Sequence, residues 1–335
     1  MQERGKELAE LHFHLGQAVD PHILWSIAHE QGIRLPSKDY WEFYDLTTLG
    51  RRDNVSWEEY HKLFHWTELI QSSPVAMERA LYEVVNGAYR ANNITLIEPS
   101  FNPMFRNREG ERDLDQIILS ALRGMERALA EFPMVRAGII LVMDRRLSYG
   151  QNEIIAKKAI KYRDRGVVGI DMAGPTTDGF RYDDYAGIFA RAQEKGLKTS
   201  THTGEDGTAE EMAHVLSVLP VNRVNHGFRA YTSPELMETV RKKNLTLCIC
   251  PTSSLKLGFI KDHAHLKEIL RTLIDNEVKF CINTDNPAML HTNLLKEIEL
   301  VREHGGLTES ELDQVIQNGF DAAFTPTEAG RNLYL

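Results

Sequence analysis

The sequence predicts a single α/β domain over residues 1–335, a (β/α)8 TIM barrel, and three observations predict it. Eight short β-branched or apolar runs punctuate the chain. Helical patterns of about a dozen residues separate most of them, the alternation expected of βα units on a parallel sheet. From the fourth run onward the spacing settles at about 25 to 30 residues, the length of one βα repeat.

The first strand is read at Leu11-His12-Phe13-His14. The longest interruption follows it, roughly residues 17–92, before the second strand at Thr95-Leu96-Ile97-Glu98. Trp57, Tyr60, Phe64 and Trp66 fall there at mostly helical spacing. The stretch is therefore expected to be an inserted helical lid over the C-terminal mouth, with Tyr60 and Phe64 toward substrate and Trp66 in the lid's own core. The third strand is Ile139-Ile140-Leu141-Val142, and Ile154, Ile155, Ala159 and Ile160 give the next helix one apolar face. The remaining strands are read at Val168-Gly169-Ile170-Asp171, Thr199-Ser200-Thr201-His202, Val224-Asn225-His226, Leu247-Cys248-Ile249-Cys250 and Phe280-Cys281-Ile282-Asn283. Ser233-Pro234 reads as an N-cap followed by a first-turn proline. Thr308 and Glu311 have the spacing of a capping box ahead of Leu312, Val315 and Ile316.

Composition narrows the function classes. With 42% hydrophobic and 26% charged residues the chain reads as a globular protein. A net charge of −9 argues against a dedicated nucleic-acid binder, which needs a basic surface. No apolar run is long enough to span a membrane, and the charged start Met-Gln-Glu-Arg lacks a signal-peptide core. Three cysteines, Cys248, Cys250 and Cys281, suggest reduced thiols and the cytoplasm. They are read as small residues of the barrel wall rather than metal ligands. Oligomeric state has no signature in the sequence.

Barrel chemistry sits where strands stop. Of 13 histidines, four lie at predicted strand ends: His12 and His14, which share a strand face, His202 and His226. Asp285 follows the eighth strand. Imidazoles are costly to bury without a ligand or hydrogen bond. Three of them with a carboxylate suit one divalent metal, Zn2+ first and Fe2+ second, in a site for metal-assisted hydrolysis. The fourth histidine is then free to hold or deprotonate water. Glu205, three residues after His202, is placed to protonate a substrate ring if burial raises its pKa. No H-E-x-x-H, P-loop or G-x-G-x-x-G motif is present. The fourth strand ends without the lysine a bridged two-metal site would need, which favours one metal.

These residues resemble the adenosine deaminase family of amidohydrolase barrels. The likeness runs from Glu10 to about Phe324, with motifs in the family's order: His12-x-His14-Leu15, Gly169-Ile170-Asp171-Met172-Ala173-Gly174, Thr201-His202-Thr203-Gly204-Glu205, Asn225-His226-Gly227, Cys250-Pro251-Thr252-Ser253 and Thr284-Asp285-Asn286-Pro287. The resemblance implies hydrolytic deamination of adenosine or deoxyadenosine. It implies metal ligation by His12, His14, His202 and Asp285, ring protonation by Glu205, and water orientation by His226 and Asp285. It implies purine contacts from the Gly174 backbone and from Asn286, which stands where a second Asp is common. The partner implied is a small purine nucleoside or nucleotide.

The rim departs from the family pattern. Gly16-Gln17 follows Leu15 where an acid or Asn normally meets the ribose 5′-hydroxyl. Loss of that acid also suits a negatively charged 5′ group. The alternative substrate is thus a purine 5′-monophosphate or an N6-substituted relative, with Arg51-Arg52, Arg106-Asn107-Arg108 and Lys256 as candidate phosphate partners. Loss of a ligand or of the acid would instead mark a silent binding protein, and none is lost.

Overall fold

The computed structural model describes residues 5–50, 52, 55–107 and 113–326. Eight parallel strands form the barrel wall in chain order: β1 Leu8–His14, β2 Ile94–Phe101, β3 Ile139–Asp144, β4 Val167–Ala173, β5 Lys198–Thr203, β6 Arg223–His226, β7 Leu247–Ile249 and β8 Phe280–Ile282. A two-residue strand, Arg136–Ala137, pairs beside the base of β2. Each wall strand overlaps a segment read from the sequence. The ring closes through backbone: His14 N–H donates to Asp285 O at 2.8 Å, and Asp285 N–H to His12 O at 3.0 Å. Closure therefore sets Asp285 beside the two histidines of β1.

β1 carries an irregularity that periodicity does not show. Glu10 pairs with Ile97 and Phe13 with Pro99, so β1 holds one extra residue against β2. The bulge lets Leu11 pack into the barrel floor with Leu96, Cys248 and Cys281 while its neighbour His12 faces His202.

Four helices occupy the stretch between β1 and β2: α1 Pro21–Glu30, α2 Tyr40–Thr47, α3 Trp57–Ile70 and α4 Pro74–Asn92. α4 packs against β2 and against α5 (Leu114–Glu131), so it takes a place in the outer helical ring. α3 covers the mouth, and α1 and α2 pack against it. Ser56 and Glu59 form a capping box that starts α3. Its far end is tied to the turn after β1, because Gln17 Nε2 donates to Thr67 Oγ1 at 2.9 Å and Gln71 Nε2 to Gly16 O at 2.9 Å. Leu49 N–H donating to Met289 O, 2.8 Å, ties the other side to the loop after β8.

The outer helices follow their punctuation. Ser233 caps the helix Pro234–Lys242 and Thr308–Glu311 closes a capping box on Glu309–Asp321. In the helix Tyr149–Lys161, Ile155, Ala156 and Ala159 are buried, but Ile154 is 42% exposed. The apolar stripe is one residue off the reading, since Ile154 turns to solvent and Ala156 takes its place. No described helix is long and apolar enough to cross a membrane.

At the floor, Arg223 is fully buried inside the barrel and donates to Glu98 Oε2 at 2.7 Å, to Ala322 O and to Leu11 O. Glu98 Oε1 accepts from the N–H groups of Phe324 and Thr325 at 2.6 and 2.7 Å. This ion pair fastens the segment after the last helix under the barrel, away from the mouth.

Candidate active site

The strand ends bring the histidines together. Ring centroids lie 5.6 Å apart for His12–His14, 4.7 Å for His12–His202, 5.2 Å for His14–His202 and 4.8 Å for His12–His226. Asp285 Oδ1 stands 3.6 Å from His12 Nε2 and 3.4 Å from His14 Nε2, and the Nε2 atoms of His14 and His202 are 3.2 Å apart. Imidazole nitrogens that close repel unless a proton or a cation lies between them. His12 Nε2 is buried with no hydrogen-bond partner, an orphan acceptor that a cation satisfies. Burial lowers the pKa of His12, and lowers that of His14 to about 4 despite the pull of Asp285. Burial would raise Asp285, but His12, His226 and His14 outweigh it and hold the carboxyl ionised. Neutral imidazoles around an ionised carboxylate are the protonation states that ligation requires, so the residues present fit a divalent metal.

Outer contacts orient the set. His202 Nδ1 lies 2.8 Å from Asp171 Oδ2, while Asp171 Oδ1 accepts from Ser200 Oγ at 2.9 Å and Asn225 Nδ2 at 3.1 Å. That carboxylate fixes which nitrogen of His202 faces the cluster. Ser253 Oγ donates to Asp285 Oδ2 at 2.6 Å. His226 and Asp285 both sit at φ 62°, the left-handed region, a backbone cost found where geometry serves a site. Cys250 Sγ is within reach of His12 and His226, but burial and the Asp285 charge push its pKa well up and keep it a thiol.

Glu205 is 7% exposed and its Oε2 lies 3.3 Å from His226 Nε2. Burial, then Asp285 and Asp206, raise its pKa well above the carboxylate range. Burial and the neighbouring His12 lower His226, so the pair is a neutral acid against a neutral imidazole.

A cavity of about 850 Å3, counted out to its mouth, opens over this cluster. Gly174, at φ 82°, lines it where a Cβ would lie 2.4 Å from Asp144 Oδ2. Tyr60 and Phe64 close it from α3, while Trp66 faces Asp45 and Leu46 on the outside of the lid. Tyr60 Oη donates to Asp285 Oδ2 at 3.4 Å and accepts from Asn286 Nδ2, leaving Asn286 Oδ1 without a partner. Turned end for end, the same amide would present its N–H2 group instead. Gly16 borders the cavity through Arg106.

Of the cations singled out in the sequence, Arg106 lines the cavity. Arg52 donates to the carbonyls of Leu49 and Thr48, and Lys256 to Gly50 O. Arg51, Arg108 and the side chain of Trp57 lie outside the described residues. Sequence reasoning did not single out Arg145, whose guanidinium donates to the backbone carbonyls of Gly174 and His202. Nor did it assign Asp171 a role, although that residue ends the predicted fourth strand and lies inside the Gly169–Gly174 motif. Position at a strand end was the available signal for Asp171. Arg145 had none beyond following β3.

Fold and donor set together define a class, the metal-assisted hydrolases built on (β/α)8 barrels. The adenosine deaminase family model matches residues 7–334, and the chain belongs to that family. It is similar to an adenosine deaminase of Clostridium botulinum, 27% identical over 97% of this chain and 96% of the relative. Among solved structures, an amidohydrolase from Burkholderia ambifaria with bound Zn superposes with a TM-score of 0.84 at 23% identity, covering 96% of this chain and 86% of that one. The Arabidopsis N6-mAMP deaminase superposes with a TM-score of 0.80 at 22% identity, covering 98% and 96%. These likenesses show the fold.

Proposed function

We propose that this aminohydrolase deaminates an adenosine-type purine at C6, releasing ammonia. The observation that carries the reading is the juxtaposition of a buried neutral acid, Glu205, with the imidazole–carboxylate cluster across 3.3 Å from His226. His12, His14, His202 and Asp285 are the ligands we assign to one divalent cation, zinc in preference to iron. When bound there, the cation supplies Lewis acidity that brings the pKa of water toward neutrality.

The chain's own groups do the rest. His226, kept neutral by burial, takes a proton from the attacking water through Nε2. Glu205 passes its carboxyl proton to the ring nitrogen beside C6, so negative charge does not accumulate on the ring as the tetrahedral carbon forms. The Gly174 N–H meets the far ring nitrogen, where a side chain would collide with Asp144. Asn286 donates to the remaining purine nitrogen with its amide turned toward the cavity. Tyr60 and Phe64 exclude water from above. The buried thiols support a reducing compartment, and we place the enzyme in the cytoplasm.

The test is ammonia release, with the accompanying loss of ultraviolet absorbance, from metal-replete protein given adenosine, deoxyadenosine and their 5′-monophosphates. Turnover of at least one is expected. Failure of all four would end the deaminase reading.

A further inference from the structure

Glu297 is fully buried, in the first turn of the helix Leu294–His304. Its two oxygens reach two different loops at the mouth of the barrel. Oε2 accepts from Thr252 N–H at 2.9 Å, in the loop after β7. Oε1 accepts from Thr292 Oγ1, in the loop after β8. Neither partner is a cation, and a buried carboxyl is costly to keep unless its hydrogen bonds are good.

Local sequence explains the need for an acceptor at that place. Thr252 is the second residue of the short helix Pro251–Lys256, and the first N–H groups of a helix have no partner within it. A side chain at the N-cap normally accepts from one of them. Here the N-cap is Cys250, whose thiol is a weak acceptor and makes no such bond. Glu297 supplies the missing acceptor from the helix after β8.

The next residue carries the consequence. Ser253 Oγ donates to Asp285 Oδ2 at 2.6 Å, while Oδ1 faces His12 and His14. The backbone around Asp285 is held by other means: it exchanges bonds with His12 and His14, and Thr284 N–H donates to Glu10 Oε1 at 3.2 Å. That leaves rotation of the carboxylate about its Cβ–Cγ bond, a soft torsion. Ser253 is the shorter of two contacts that fix it, the other being Tyr60 Oη at 3.4 Å. Thr252, Ser253 and Glu297 all lie outside the cavity lining.

We propose that Glu297 is a positioning residue for the reaction: by holding Thr252 N–H it keeps Ser253 on Asp285 Oδ2 and so presents Oδ1 to the cation site. The proposal rests on the assignment of Asp285 as a ligand; the hydrogen-bonded chain itself does not.

The test is a double-mutant cycle on Zn2+ affinity, measured by chelator competition, with the visible spectrum of Co2+-loaded protein as a report on ligand geometry. Loss of an outer partner costs about 10- to 100-fold in metal affinity, so Ser253→Ala and Glu297→Met should each weaken Zn2+ binding about tenfold or more and shift the cobalt bands alike. Because Glu297 acts through Ser253, the double variant should bind Zn2+ within about threefold of the weaker single variant, well short of the product of the two losses. Glu297→Gln keeps an oxygen for Thr252 N–H and turns its N–H2 group to Thr292 Oγ1, which accepts after its hydroxyl rotates; its affinity should stay within about threefold of wild type. With zinc saturating, Glu297→Met should lower kcat while KM stays within about threefold, since no cavity residue is touched. If Glu297→Met does not fold, Glu297→Asp, one methylene shorter, withdraws the acceptor from Thr252 and takes its place in the cycle. Unchanged zinc affinity and cobalt spectrum in the variant that lacks the bond, or losses that multiply in full in the double variant, would overturn the proposal. Wild-type protein that binds neither ion refutes the ligand assignment and this proposal with it. If the wild type binds zinc but releases ammonia from no aminopurine, the deaminase reading fails, and the affinities still decide the role of Glu297.

Discussion

Replacing Glu205 by Gln separates proton donation from every other role of that residue. Glutamine has nearly the same shape, so the buried slot opposite His226 stays filled. Its amide still donates a hydrogen bond to a ring nitrogen but cannot deliver a proton. Substrate affinity should therefore change little, with KM within a few-fold. A positioned general acid contributes about 100- to 10,000-fold, so kcat should fall about a thousandfold, or about 4 kcal/mol of barrier.

The pH behaviour follows from the sign of the shift. Burial raises the folded pKa of Glu205, so the acid form is present below that value and lost as pH rises through it. The wild-type alkaline limb of kcat should be missing from the residual activity of the variant. Stability shifts in the same sense. The contribution of Glu205 is fully present below its unfolded pKa and lost as pH rises through the folded one, so the variant should gain Tm relative to wild type on the alkaline side. The assay is steady-state kinetics across pH with metal analysis of the same samples. Glu205, His226 and Asp285 also form a triad close enough to hold an ion. Loss of metal from Glu205→Gln, or kcat within tenfold of wild type, would refute the assignment of Glu205 as proton donor outside the ligand set.

Other perturbations act through neighbours. Asp171→Asn puts an amide against His202 Nδ1 in place of a carboxylate at 2.8 Å; metal affinity should drop about 10- to 100-fold by chelator competition, and unchanged affinity would remove Asp171 from the account. Gly174→Ala forces a Cβ to 2.4 Å from Asp144 Oδ2 at φ 82°; substrate binding should weaken and stability fall by about 1–2 kcal/mol in denaturant melts. Arg223→Met strands Glu98 under the barrel, where it keeps only the N–H groups of Phe324 and Thr325. That should cost about 3–5 kcal/mol of stability while the metal affinity of the folded protein is unchanged.

The sequence makes the site more legible than its supports. All eight strands and the residues at their ends could be read because β-branched runs, histidines and turn residues are local signals. The bulge in β1 could not, because an extra residue is defined only against the partner strand. Without the structure, Leu11 and His12 would be expected on opposite faces, yet both point inward. The stretch between β1 and β2 looks uniform in pattern, but α4 joins the outer ring through contacts with β2 and α5 that no local period encodes. Arg145 and Arg223 are ordinary arginines by composition. Their importance comes from the carbonyls and carboxylates that distant segments bring to them.

The most direct measurement is a metal titration of the chelator-stripped enzyme, following ammonia release from a 6-aminopurine. Activity should return in proportion to added zinc and level off at about one ion per chain, and His12→Ala or Asp285→Ala protein should neither retain the ion nor recover. Full turnover by rigorously metal-free protein, or undiminished ion binding by those two variants, would contradict the convergence of three imidazoles and an aspartate on a single cation.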